Sequence, residues 1–211
     1  MNAPRLSFSS KELQDLAVAW IALGVAFAIF FAGGGQRAVV GILRGGVVAP
    51  VLLSLLTAGI GFLLHEVAHK VVAVRFGQIA EFRADYGMLF LAVVSSLAGF
   101  IFAAPGAVYH RGRITAREHG LIALAGPATN VALAVVFLPV FAVGVLASSD
   151  FLSLVGSRGL TINLFLATFN MLPFGPLDGK TVLSWSRTVF AAFFVPALVL
   201  TIGVFLVGFG F

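Results

Sequence analysis

Residues 63–72 read LLHEVAHKVV and set His65, Glu66 and His69 inside an otherwise apolar run. On a helix, side chains four apart lie on one face, one turn from each other. His65 and His69 can therefore share one tetrahedral metal ion. Glu66 lies beside that face, where a carboxylate can take a proton from metal-activated water. The pattern is HExxH, and the chemistry it serves is hydrolysis. A lone buried histidine is ordinarily a hydrogen-bonded core residue. Two histidines and a glutamate at membrane depth are different, because polar groups there are costly and are retained for function.

A catalytic zinc takes three protein ligands and keeps one position open. The chain has no cysteine, so no thiolate can serve. His110 and His119 lie near arginines in a polar stretch and read as solvated loop residues. Carboxylates remain. Asp178, in FNMLPFGPLDGK, ends an apolar run beside Pro173, Gly175, Pro176 and Gly179. Those residues stop a helix and bend the chain, which would aim one carboxylate back at a metal. Aspartate is also common in plain turns, so residue types alone leave both readings open. The neighbouring GPLDGKT resembles the end of a phosphate-binding loop, but Phe174 stands where that motif needs glycine.

The elements that must carry these residues are membrane helices. The chain has 211 residues, of which 60% are hydrophobic and 10% charged, with a mean hydropathy of +1.10. A soluble domain would have about a quarter of its residues charged. Apolar runs at 16–32, 47–75, 119–146, 158–177 and 189–210 approach or exceed the ~20 residues that cross a bilayer. The expectation is an all-α polytopic helix bundle with about five transmembrane helices, forming one domain over 1–211. Residues 1–15 read as a mixed polar tail, and 16–32 as a retained helix. The net charge of +5 does not point to nucleic acid, because Lys and Arg sit in short loops beside apolar runs, where topology signals sit.

The segment 87–108 is apolar enough to cross but holds Ser95, Ser96, Gly99, Pro105 and Gly106. If it does not cross and the N-terminus is cytosolic, Lys70, Arg75, Arg83, Arg111, Arg113, Arg117, Lys180 and Arg187 all face the cytosol. Only Arg37, Arg44 and Arg158 are then left outside. If it crosses, the loop with Arg111, Arg113 and Arg117 moves outside, and Lys180 and Arg187 follow. The first arrangement obeys the positive-inside rule, so 87–108 is read as re-entrant or a hairpin. Helices 47–75 and 158–177 then run in the same direction. His65, His69 and Asp178 fall together toward the cytosolic side, which favours Asp178 as a ligand.

Three blocks resemble the site-2 protease family of intramembrane zinc metalloproteases. HEVAH matches its HExxH helix. AGPATN, residues 125–130, is similar to its glycine-proline-x-x-asparagine block. NMLPFGPLDG, residues 170–179, is similar to its asparagine-x-x-proline-x-x-proline-x-aspartate-glycine block. The resemblance implies one Zn2+ per chain, held by His65, His69 and Asp178, with Glu66 as catalytic base. It implies that Asn170 acts near the scissile carbonyl, and that the substrates are single-span membrane proteins. Asn130 reads as a packing residue, its amide bonding between helices. The family's frequent regulatory domains find no room, and Lys180 follows Gly179 without a second glycine, so the chain resembles a minimal catalytic core. An unwound substrate could be held by strand addition, for which 79–108 offers an edge.

Two other functions share parts of the pattern. A prenyl-protein-type membrane protease also uses HExxH, with glutamate as third ligand. The downstream glutamates, Glu81 and Glu118, lie in basic polar surroundings. A zinc transporter would want further ligands along a pore, and the sequence offers no second cluster.

Overall fold

The computed structural model describes residues 5–102 and 105–208. In chain order the elements are α1 (Ser10–Phe31), α2 (Gly35–Gly45), α3 (Val48–Ser54), a π-helical turn (Leu55–Gly59), α4 (Ile60–Arg75), β1 (Ile79–Ala84), α5 (Tyr86–Leu97), β2 (Gly106–Arg111), α6 (Ala116–Leu146), α7 (Asp150–Asn170), α8 (Asp178–Trp185) and α9 (Arg187–Leu206). Among the described residues, five helices are long and apolar enough to cross a membrane: Ser10–Phe31, Val48–Arg75, Ala116–Leu146, Asp150–Asn170 and Arg187–Leu206. The expected fold class, all-α with about five such helices, is the one observed. The last residues of the expected run 189–210 lie outside the described residues.

The chain divides into two compact units. The first comprises Phe8–Leu63 and Glu81–Tyr109. Its core is a helical stripe on α1, Leu16, Ala19, Leu23 and Ala26, packed with Phe62, Phe82, Leu89 and Ala92. The helix starts at Ser10, earlier than the apolar run suggests. Ser9 caps it by accepting from Glu12 N, and Lys11, Glu12 and Asp15 after it find partners. Glu12, 0% exposed, accepts from the Phe82 amide at 3.0 Å. Asp15 accepts from Lys11 Nζ and from the Tyr86 hydroxyl, both at 2.6 Å. A buried carboxylate is tolerable only when paired like this.

The same unit settles the segment 87–108. Helix α5 has 12 residues, about 18 Å at 1.5 Å per residue, against ~30 Å of hydrocarbon. Asp85 caps it by accepting from the Met88 amide. Strands β1 and β2 flank it and pair with each other, and Asp85 N donates to Pro105 O at 3.0 Å. A segment whose two ends hydrogen-bond to one another leaves and returns at the same level. It is a hairpin, as the charge pattern requires; Ala103 and Ala104 within it lie outside the described residues.

The second unit comprises Leu64–Ala80, the chain from His110 onward and the described residues before Phe8. Helix α7 begins at Asp150, where Ser149 caps it, and not near residue 158. Arg158 therefore lies within a helix rather than in an outer loop. Helices α6 and α7 approach closely through glycines. A Cβ at Gly156 would strike Phe141, one at Gly159 the Phe137 ring, and one at Gly144 the Ser153 backbone. Small residues let helices in lipid pack backbone to backbone. At its other end α7 stops at Asn170, seven residues before the apolar run ends, because Pro173 and Pro176 cannot continue it and Gly175 has φ +61°. The chain turns there and restarts as α8 at Asp178.

Candidate metal centre

His65 and His69 sit on α4 with ring centroids 4.6 Å apart and planes at 81°. Asp178 is the first residue of α8. Its Oδ2 lies 3.2 Å from His65 Nε2 and 3.4 Å from His69 Nε2. One ligand atom from each residue falls within 4.8 Å of the others, and among the described residues no other His, Asp or Glu group meets this standard. Zinc–ligand bonds near 2.1 Å in a tetrahedron put ligand atoms about 3.4 Å apart, so the triad has the spacing the metal needs.

The other two imidazole nitrogens are occupied. His69 Nδ1 lies 2.7 Å from Ile122 O, an oxygen that can only accept. His69 therefore donates through Nδ1, which leaves Nε2 as the nitrogen turned to Asp178. His65 Nδ1 lies 2.6 Å from Asn130 Oδ1. Such partners fix ring orientation and raise ligand basicity. Both come from α6, which also leaves the space. A Cβ at Gly126 would fall onto His65 Nε2 and His69 Nε2 together. Of the glycines in α6, Gly126 is the one facing both ligand atoms. Spacing, nitrogen donors, a carboxylate and this recess fit zinc.

Asp178 is held in place by tight packing around it. A Cβ at Gly179 would meet the Met171 carbonyl. Met171 and Val182 are wholly buried and pack with Ala123, with Trp185 and Phe190 against them. Burial works against ionisation of Asp178, yet the facing imidazoles, His69 foremost, outweigh it and hold the carboxyl below its usual range.

The remaining expected residues are placed as follows. Glu66 is 8% exposed and follows His65 on α4. Asn170 is the last residue of α7, and its Nδ2 donates to Leu166 O on its own helix at 3.0 Å. His110 and His119 are not independent loop residues. His110 lies half-buried in β2 and His119 is in the first turn of α6, with ring centroids 5.6 Å apart. Burial, helped by the charges of His119 and His69, pushes the His110 pKa down. The two glutamates have other duties. Glu118 completes a capping box with Thr115, and Glu81 pairs with Arg83 at 2.7 Å. Asn130, read from the sequence as packing, is 0% exposed and bonds a metal-facing histidine. The available signal was its place four residues after Gly126, on the same face of α6.

No protein-family model matches the chain, and no solved structure does. Three curated relatives do, each named "Putative zinc metalloprotease". MJ0611 of Methanocaldococcus jannaschii is 38% identical over 193 residues, 90% of this chain and 93% of the relative. YwhC of Bacillus subtilis is 32% identical over 146 residues, 61% of this chain and 66% of the relative. Rip3 of Mycobacterium tuberculosis is 36% identical over 148 residues, 69% of this chain and 32% of the relative. Similarity that covers nine tenths of both this chain and MJ0611, together with long apolar helices and a zinc-spaced triad, makes this a multi-pass membrane protein whose metal is zinc, and the chain belongs to the site-2 protease family of zinc metalloproteases.

Proposed function

We propose that this metalloprotease cuts other proteins within their membrane-spanning segments, and that single-span proteins are its substrates. One observation carries the reading: the histidine pair stands on Val48–Arg75, a helix with the length and apolarity of a membrane span. His65, His69 and Asp178 are the metal ligands. When bound, zinc supplies Lewis acidity, polarising a carbonyl and acidifying water. Glu66 takes the proton of the attacking water and returns it to the leaving amine as the peptide C–N bond breaks, so the carboxylate ends as it began. Asn170 presents an amide to the scissile carbonyl, a role that such side chains fill in oxyanion stabilisation. A helical substrate hides its carbonyls in backbone bonds and must unwind to be cut. Unwound backbone is satisfied by a sheet edge, which the β1–β2 pair can offer.

The test is cleavage by purified, zinc-loaded protein in liposomes. Single-span proteins tagged at both ends are the substrates, and product masses locate the cut. Cuts inside the apolar segment are expected. The His65→Ala, His69→Ala double variant should make none and hold no tight zinc. Cuts confined to water-exposed loops would overturn the intramembrane reading.

The active site is assigned to the cytosolic side of the cell membrane, because the basic residues gather there when the hairpin does not cross. The chain has no cysteine, so single cysteines at Ser96 and Arg113 can be labelled with an impermeant reagent. Neither should react from outside intact cells. Outside labelling of Arg113→Cys would reverse the assignment.

A further inference from the structure

Two asparagines behind His65 have no part in the chemistry above, and their hydrogen bonds form a chain with a fixed direction. It starts at Gly159 O in α7. A backbone carbonyl can only accept. Asn163 approaches it at 2.8 Å, so the group it presents is its Nδ2. Its other end, Oδ1, is then turned to Asn130 and accepts from Asn130 Nδ2 at 2.9 Å. That leaves Asn130 Oδ1 facing His65 Nδ1 at 2.6 Å. An amide oxygen carries no proton, so Nδ1 must supply one. The remaining nitrogen, Nε2, is then the one whose lone pair a metal can use once it carries no proton, and it lies 3.2 Å from Asp178 Oδ2. Every amide orientation follows from the one before it. Both asparagines are 0% exposed, so water cannot substitute for a lost partner.

We propose that Asn163 and Asn130 are positioning residues, a relay that holds His65 in the one tautomer able to bind metal. The proposal rests on His65 being a metal ligand. Turning both amides over would present an N–H to Nδ1 and place the imidazole proton on Nε2, where it blocks coordination. The contact between Asn163 and Gly159 forbids this. His69 reaches the same end in one step, through Ile122 O. The two ligands are therefore fixed by different means, and His65 depends on a residue two hydrogen bonds away, on another helix.

The test is zinc affinity, read by chelator competition on purified protein in detergent, with the absorption spectrum of the Co2+ form reporting site geometry. Asn130→Leu should weaken zinc binding about 10- to 100-fold, the usual effect of losing a partner behind a ligand. Asn130→Asp keeps an acceptor on Nδ1 and should stay much closer to the parent. Asn163→Leu touches neither metal nor ligand, yet should cost roughly tenfold and alter the Co2+ spectrum. The double Leu variant should bind no worse than Asn130→Leu alone, because Asn163 acts through Asn130. Parental affinity in Asn163→Leu would overturn the relay, even with a lower unfolding temperature; so would additive losses in the double variant. If Asn130→Leu does not fold, Asn163→Leu and Asn130→Asp decide alone. His65→Ala separates the two levels. If it keeps full zinc, the ligand assignment falls; if it loses zinc while the asparagine variants do not, only the relay falls.

Discussion

Glu66→Gln should abolish measurable proteolysis while leaving zinc content unchanged. Glutamine has nearly the shape of glutamate but no basic oxygen. It cannot take a proton from water or return one to the leaving amine. Losing a positioned general base lowers turnover by roughly 10²- to 10⁴-fold. Glu66 does not belong to the triad of ligand atoms, so metal retention should match the parent. Its burial, at 8% exposure, leaves little room for bulk water to replace it as base. The same variant should hold uncut substrates long enough to recover them from native membranes. Near-normal cleavage by Glu66→Gln would remove Glu66 from the mechanism. Loss of zinc together with activity would instead make it part of the metal's support.

Asp178→Asn is expected to lose both zinc and proteolysis, while folding and inserting normally. A turn aspartate tolerates asparagine, which keeps its shape and local hydrogen bonds. A zinc ligand does not, because the amide lacks the carboxylate's charge. The surroundings make the replacement more severe. Asp178 Oδ2 lies 3.2 Å and 3.4 Å from the two Nε2 atoms, so asparagine would place either a weak oxygen or an N–H against the metal position. Glu81→Gln and Glu118→Gln provide the contrast. Glu118 caps α6 and Glu81 pairs with Arg83, so each should cost little and leave zinc in place. If Asp178→Asn cleaves normally and a glutamate variant loses zinc, a prenyl-protein-type site becomes the better description.

The parts of this site written locally were legible in the sequence. HExxH needs only the pitch of one helix to bring two imidazoles to one face. The hairpin at 87–108 was legible because topology leaves a charge signature on both sides of each span. Helix starts were harder to place. Residues 10–15 look like a polar tail until Glu12 and Asp15 find Phe82 N, Lys11 and Tyr86, and no hydropathy average contains a partner 70 residues away. Arg158 misled in the same way, since a capped start at Ser149 carries the helix past it. Asn130 showed in the sequence only as a packing amide between helices, and Asn163 not at all, for a related reason. Each is an ordinary amide in its own helix, and their direction appears only when α6, α7 and α4 are placed together.

Gly126 offers a way to recognise silenced members among newly sequenced genes. A protein can keep both histidines, the glutamate and the aspartate and still be unable to load zinc. Any side chain at this position, even a methyl group, takes the volume beside both Nε2 atoms. A gene with an intact HExxH and DG but alanine or serine at the glycine of the GPxxN block should therefore encode a pseudoprotease. It would retain the fold and whatever it grips, without the ability to cut. Surveys that score only the charged and metal-binding letters would count such a gene as active; the letter that betrays it is the one with no side chain.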